Sequence, residues 1–288
     1  MNAKNIVISG GTGFLGSNVI NMLKEGYIIY NLGRNKNPLC NNVYWDLEGE
    51  IDYSKLPKKV DIIIHAASIV GITNNSPSKY IDINVKSTTV LLEYALAASA
   101  DHYIYISTGG VYGFKDKLQD EDEYCNPKDF YGLTKYFSEM ACNYYKDKIP
   151  MTVLRLFFPY GVKQIGRLIP NLVEKIMSND IIEINKSGKP AINPIYIDDA
   201  TYIIKQIIDN KIYGTYNICG NEIVSIKDIC NIIAKKLNKT EIAYCENNNC
   251  VEDLIGSNKK ISKVVNLKNQ ISINSGIDKI IAYKINKK

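Results

Sequence analysis

The chain has 288 residues, is 45% hydrophobic and 23% charged, and carries a formal net charge of +5. This suits one large domain or two small ones with ample material for a core. Lysines and arginines are scattered, with small clusters at Lys259-Lys260 and Lys287-Lys288, so there is no basic stripe for nucleic acid and none is expected as a partner. No apolar run approaches the ~20 residues of a membrane span, and the first residues lack the basic segment and long apolar core of a signal peptide. No membrane partner is therefore expected. The seven cysteines form no C-x-x-C pair, and Cys245 and Cys250, the closest two, have no histidine beside them. Free thiols in a reducing cytoplasm are expected, with no metal site.

Chemistry begins at the first predicted strand, Ile6 to Ile8, which runs into glycines at 10, 13 and 16 and then a helix over Phe14 to Glu25 with apolar residues at helical spacing. In such a strand–turn–helix unit, Gly10 permits a sharp turn, Gly13 lets backbone N–H groups approach a pyrophosphate, and Gly16 lets helix and strand pack closely. The helix N-terminus offers unpaired donors and partial positive charge to the phosphates. A second strand, Gly26 to Leu32, ends at Gly33-Arg34, where an adenosine ribose would sit. Val43 to Leu47 reads as a short strand whose Asp46 is either a solvated strand-end carboxylate or a partner for the adenine amino group.

Asp61 to Ala67 is a buried strand ending in small residues, Ala66 and Ala67, that permit close approach of a cofactor. His65 within it reads as a packed, satisfied histidine. A long helix over Pro77 to Ala100 carries Asn84, either a polar helix residue or one that holds backbone or water near a site. The strand His102 to Ile106 leads into Ser107-Thr108-Gly109-Gly110-Val111-Tyr112-Gly113, at the sheet edge where ligands bind. The helix from Tyr131 to about Lys146 places Tyr131 and Lys135 four residues apart on one face. An ammonium there favours the phenolate and lowers the Tyr pKa from its usual ~10, so Tyr131 can act as acid or base on a hydroxyl that Thr108 orients.

Beyond a strand at Met151 to Leu156, a helix over Ile165 to Met177 is expected to be interrupted near Pro170. Further strands are expected at Ile181 to Ile184, Tyr213 to Ile218 and Glu241 to Cys245, and helices from Asp198-Asp199 to Asn210, Ser225 to Leu237, and weakly from Ser275. Asp198 or Asp199 is expected as an N-cap, as is Ser225. The alternation implies an α/β fold with a mainly parallel sheet.

Together these stretches resemble the extended short-chain dehydrogenase/reductases, the NAD-dependent epimerase/dehydratase family. The resemblance rests on Gly10 to Gly16, Asp61 to Ala67, Ser107-Thr108 with Val111-Tyr112-Gly113, Tyr131 with Lys135, Leu154-Arg155 with Tyr160-Gly161, and Tyr196 to Ala200. It implies a Rossmann-type doubly wound parallel sheet with a smaller C-terminal α/β substrate lobe. The dinucleotide-binding domain would take residues 1–158 with 191–218 returning to it, and the lobe residues 159–190 and 219–288. It implies Thr108, Tyr131 and Lys135 as catalytic residues, and Gly10, Gly13, Phe14, Leu15, Gly16, Arg34, Asp46, Leu47, Ala66, Ala67 and Lys135 against the cofactor. Thr108, Tyr160 and Arg167 would touch a nucleotide-sugar substrate, and a cytoplasmic homodimer is expected.

Departures from the family pattern matter. Many members have Asn at the position of Phe158 and Arg near Asn193, both serving the substrate diphosphate, and Arg167 would have to compensate. NAD-preferring members end the second strand in Asp, where this chain has Gly33 followed by Arg34. A guanidinium pairs well with a 2′-phosphate, so NADP is expected over NAD. The 4,6-dehydratases of the family place Asp-Glu after the catalytic Thr, where this chain has Gly109-Gly110. The expected function is an NAD(P)-dependent nucleotide-sugar epimerase or ketoreductase. The alternatives are a reductase of a non-nucleotide carbonyl substrate or a non-catalytic dinucleotide-sensing protein.

Overall fold

The structure is a computed structural model describing residues 3–70, 76–249 and 251–287. Its strands are β1 (Lys4–Ser9), β2 (Tyr27–Gly33), β3 (Asn41–Tyr44), β4 (Ile62–His65), β5 (His102–Thr108), β6 (Leu118–Gln119), β7 (Met151–Leu156), β8 (Ile182–Asn185), β9 (Ala191–Ile192), β10 (Gly214–Ile218), β11 (Val224–Ser225), β12 (Tyr244–Asn247) and β13 (Ile255–Gly256). Its α-helices are α1 (Phe14–Leu23), α2 (Pro77–Tyr80), α3 (Ser87–Ala97), α4 (Phe130–Tyr145), α5 (Leu168–Ser178), α6 (Ile197–Asp209), α7 (Ile226–Lys236) and α8 (Ile273–Ile285).

Seven strands form one sheet in the order β10-β7-β5-β4-β1-β2-β3. From β1 the order grows toward β2 and β3, then reverses through β4 and β5, with parallel pairing throughout this stretch. Right-handed crossovers on either side of that reversal put helices on opposite faces, and the carboxyl ends of β1 and β4 become a switch point open to ligands. Strands covered on both faces read as continuous apolar runs, which is why Ile6, Val7 and Ile8 are all 0% exposed. On one face, Val7 forms a buried cluster with Leu32, Ile63, Leu91, Leu92, Tyr103 and Val153. Each fully buried aliphatic side chain contributes about 1.5–3 kcal/mol.

The chain divides into two compact units. The first comprises Met1–Gly113, Tyr124–Arg155 and Thr201–Tyr216, and the second Phe114–Glu123, Leu156–Ala200 and Asn217–Lys288. The second unit contains the two-stranded pairs β11-β9, β12-β8 and β13-β6, with α5, α7 and α8 packed on one another.

Several local expectations change. Pro170 does not interrupt α5: it lies in the first turn, where its missing N–H has no intrahelical partner to lose. The long helix after residue 76 is broken into α2, a π-turn at Ile81–Lys86, and α3. Asp198 and Asp199 lie inside the first turn of α6 instead of capping it. Asp199 Oδ2 accepts from Ile271 N at 2.8 Å, and Asp198 pairs with Lys279 at 3.6 Å. Ser225 does cap α7, in a reciprocal capping box with Asp228. The tail helix starts at Ile273, with the Ser272 hydroxyl accepting from Ser275 N. Cys40, Cys125, Cys142, Cys219, Cys230 and Cys245 are free thiols, while Cys250 lies outside the described residues.

Candidate active site

At the end of β1 the chain turns through Gly10 with φ +74°, which a β-carbon would disfavour. A β-carbon there would also lie 2.9 Å from the backbone of Ala67, and one on Gly16 would meet Gly10 O at 2.3 Å. The glycines therefore press α1, β1 and the end of β4 together. Gly13 is the N-cap of α1; no side chain caps the helix and its first turn has no acidic residue. The N–H groups of Phe14 and Leu15 thus lie at an uncapped, positive helix end, which fits a pyrophosphate.

His65 secures this region. It is 0% exposed, with Nδ1 2.6 Å from Ser9 Oγ and Nε2 3.1 Å from Thr88 Oγ1, and burial holds its pKa well below the usual value. Ser9 Oγ in turn accepts from Ala67 N at 3.2 Å. The histidine is a packed, satisfied cross-brace between β1 and β4, placing Ala66 and Ala67 at the switch point. His102, for which the sequence offered no partner, bonds Thr152 Oγ1 at 2.7 Å.

Asn84 holds backbone. From the π-turn, its Oδ1 accepts from Ile69 N at 2.8 Å and its Nδ2 donates to Ile69 O at 3.2 Å and Thr134 Oγ1 at 3.0 Å. One side chain thereby ties the loop after β4 to α4, the helix that carries Tyr131. Single π-turns are frequent at functional sites.

The two halves of the proposed acid–base set come from β5 and α4. Thr108 ends β5, and its hydroxyl accepts from Gly110 N at 3.1 Å, capping the short 3₁₀ turn Gly109–Tyr112. Asp129 caps α4 by accepting from Gly132 N at 2.6 Å. A β-carbon on Gly132 would sit 3.0 Å from Gly110 O, so this glycine lets the start of α4 close on the turn after Thr108. Tyr131 is half-buried there. Lys135, one turn on, is 2% exposed, with Nζ 4.2 Å from the centre of the Tyr105 ring. Nζ makes no hydrogen bond among the described residues. Burial draws its pKa down to about 7, with Cys142 and Glu139 pulling in the opposite direction.

Beneath this set Arg155, part of the Leu154-Arg155 motif, pairs with Glu139, which periodicity and motif did not flag. Glu139, 7% exposed, accepts from Arg155 Nη2 at 2.7 Å and from Arg155 Nε at 3.1 and 3.2 Å. Ser107 donates to the same carboxylate, and Arg155 Nη1 donates to Tyr112 OH at 2.7 Å. The available signal was Glu139 sitting one further turn along the face of Tyr131 and Lys135.

The remaining expected residues are dispersed. Asp46 Oδ1 accepts from Gly49 N at 2.7 Å and Glu48 N at 3.1 Å, which, with a smaller contribution from Arg34, lowers its pKa. It closes a turn instead of standing as a free strand-end carboxylate. Leu47 follows with φ +74°, a left-handed conformation rare for a bulky residue. In the second unit, Tyr160 is 2% exposed, edge-on to Tyr196 at 5.4 Å, with its hydroxyl closed off by Gly276. Its surroundings are those of a core residue. Arg167 is exposed at the N-cap of α5. Asn193 is spent internally, donating to Gly256 O at 2.7 Å and accepting from Gly256 N at 3.0 Å. Phe158 has φ +43°, a conformation that Asn adopts far more readily.

The switch-point sheet and its uncapped glycine turn define a dinucleotide-binding α/β protein. The chain belongs to the NAD dependent epimerase/dehydratase family, whose sequence profile matches residues 6–219. It is 29% identical over 190 residues to an uncharacterized UDP-glucose epimerase of Bacillus subtilis, covering 63% of this chain and 60% of that one. It is 28% identical to a putative UDP-glucose 4-epimerase of Methanocaldococcus jannaschii, covering 81% and 82%. It spans 61% of the Dictyostelium discoideum dTDP-D-glucose 4,6-dehydratase, again about three-fifths of the relative's length. Among solved structures, UDP-glucuronic acid 4-epimerase from Bacillus cereus, in complex with UDP-glucuronic acid and NAD, superposes with a TM-score of 0.89 at 25% identity, covering 99% of this chain and 100% of that one.

That complex overturns the expected preference for NADP: the Bacillus cereus enzyme is solved with NAD. A lone exposed cation holds an anion weakly, and Arg34, immediately after β2, is such a group.

Proposed function

We propose that the chain is an NAD-dependent nucleotide-sugar epimerase that works by hydride transfer at a sugar carbon, with Tyr131 as the acid–base group. The observation that carries this is the burial of Lys135 one helical turn from Tyr131. Arg155 and Glu139 neutralise one another as a buried pair, so the charge beside Tyr131 is that of Lys135, which when protonated favours a phenolate on Tyr131. Thr108 would orient the sugar hydroxyl, Tyr131 would take its proton and later return it, and Lys135 would bind the nicotinamide ribose. NAD held against these residues would supply the hydride-transfer chemistry at the sugar carbon. An uncapped α1 and the Gly10–Gly16 cradle are suited to its pyrophosphate.

A ketoreductase would use the same residues, but it exchanges its cofactor each turnover, whereas an epimerase regenerates NAD in place. The NAD-bound 4-epimerase relative supports the second. A sensor has no need of the acid–base pair. The second reading, a non-nucleotide carbonyl substrate, rests on two departures from the family pattern, Phe158 in place of Asn and no Arg near Asn193.

Tyr131→Phe keeps the ring and removes the proton carrier. It should bind NAD normally and lose roughly two to four orders of magnitude in turnover of UDP-, CDP-, GDP- or dTDP-sugars. Near-normal turnover would reduce Tyr131 to a packed helix residue.

A further inference from the structure

We infer that Glu139 is a positioning residue that locks the strand end bearing Thr108 to the helix bearing Tyr131 and Lys135. The inference rests on the roles given above to those three residues, and it concerns a carboxylate that touches none of the reacting atoms.

Three parts of the chain, α4, β5 with the turn after it, and β7, meet at the Glu139–Arg155 pair. Glu139 belongs to α4, one turn beyond Lys135 and two beyond Tyr131. Ser107, the residue immediately before Thr108 on β5, donates its hydroxyl to Glu139 Oε1. Arg155, from β7, grips both carboxylate oxygens through Nε and Nη2. The same guanidinium reaches past Glu139: Nη1 donates to Tyr112 OH at 2.7 Å and the group stacks at 4.7 Å on the Tyr112 ring. Tyr112 closes the 3₁₀ turn that Thr108 caps. Thr108 is therefore fixed from both sides, by Ser107 before it, bonded to Glu139 directly, and by Tyr112 after it, bonded to Arg155 and through it to Glu139. At its other end α4 closes on the same turn, where Gly132 approaches Gly110.

A neutral group could not serve equally. A planar carboxylate takes the Arg fork on two parallel hydrogen bonds and still accepts from a hydroxyl, which sets angle as well as distance. Replacing such a buried pair by apolar side chains is often neutral or stabilising, so stability alone is a poor reason for its presence. Geometry is a better one, because catalytic sets lose rate steeply when a group moves by about 1 Å.

Two neutral variants test this without stranding a buried charge. Ser107→Ala cuts the attachment before Thr108, and Tyr112→Phe cuts the attachment after it while keeping the ring. In the double variant, amide exchange across Gly109–Gly113 should speed up roughly tenfold. Turnover number should fall roughly 5–30-fold, with KM and the NADH dissociation constant within about twofold of the parent. Glu139→Gln should lower turnover further, and if it fails to fold, the two neutral variants carry the test. Unchanged exchange protection overturns the inference. So does faster exchange with undiminished turnover, or a loss that appears only in KM. If the parent protein turns over no substrate and binds NADH, the proposed acid–base function fails, and the exchange measurement still decides whether the clamp exists.

Discussion

At the scale of single residues, the site runs against the stability of its own unit. Lys135 is 2% exposed, and burial draws its pKa from 10.5 to about 7. An unfolded chain binds this proton up to about pH 10.5, whereas the folded chain releases it near 7. The burden on folding is therefore complete below pH 7 and is relieved as pH rises from 7 toward 10.5. Lys135→Met should raise the unfolding free energy of nucleotide-free protein at pH 6, from urea titration, by on the order of 1–4 kcal/mol. The gap should narrow by pH 9, and NAD binding should weaken. A variant less stable than the parent at pH 6 would show that the ammonium is well compensated. Single residues also show what sequence reading could reach. The placement of Thr108 at a strand end and of Tyr131 and Lys135 one turn apart on one helix was legible, because both follow from local periodicity. Glu139 and Arg155 lie 16 residues apart on different elements, and only the packing of α4 near β7 makes them partners. Arg34 misled because one exposed guanidinium after a strand end carries little preference for a phosphate by itself.

At the scale of elements, the parallel sheet was legible because doubly covered strands must be continuously apolar, as Ile6–Ile8 and Ile62–Ile64 are. The two-residue strands β6, β9, β11 and β13 carry too few residues for any period, and the π-turn at Ile81–Lys86 is invisible to a 3.6-residue repeat. Cross-braces between elements were equally hidden. The His102–Thr152 bond joins β5 to β7, and Thr152 Oγ1 also donates to Ile212 O at 2.6 Å. Burial draws the His102 pKa down to about 4 from 6.5. Below pH 6.5 the unfolded chain binds a proton that the folded chain refuses, so stability present above 6.5 is lost as pH falls toward 4. The loss amounts to on the order of 3 kcal/mol. Urea midpoints between pH 7.5 and 4 should fall less steeply for His102→Gln than for the parent. Parallel slopes would mean that His102 protonates freely in the folded state.

At the scale of the whole chain, the reaction is constrained by what surrounds the acid–base set. Removal of water from a sugar needs one group to protonate the leaving hydroxyl and another to take the adjacent proton. The two residues after Thr108 are Gly109 and Gly110, which open the 3₁₀ turn and offer no side chain. Relatives at 28% identity include dTDP-D-glucose 4,6-dehydratases. Even so, the purified protein should form no 4-keto-6-deoxy sugar nucleotide, and its appearance would refute this reading of the turn. The division into two units was only partly legible, because the excursion of Phe114–Glu123 into the second unit rests on contacts distant in sequence. Among these are the Glu121 carboxylate accepting from Asn217 N at 2.7 Å and the pairing of β6 with β13. The most direct test of the account is to supply the protein, loaded with NAD, with single C4 epimers of nucleotide sugars and follow the stereochemistry at C4 by NMR. The account predicts interconversion of the epimers with no net consumption of NAD, abolished in Tyr131→Phe. Failure to invert any nucleotide sugar by a protein that binds NAD, or equal inversion by Tyr131→Phe, would contradict it.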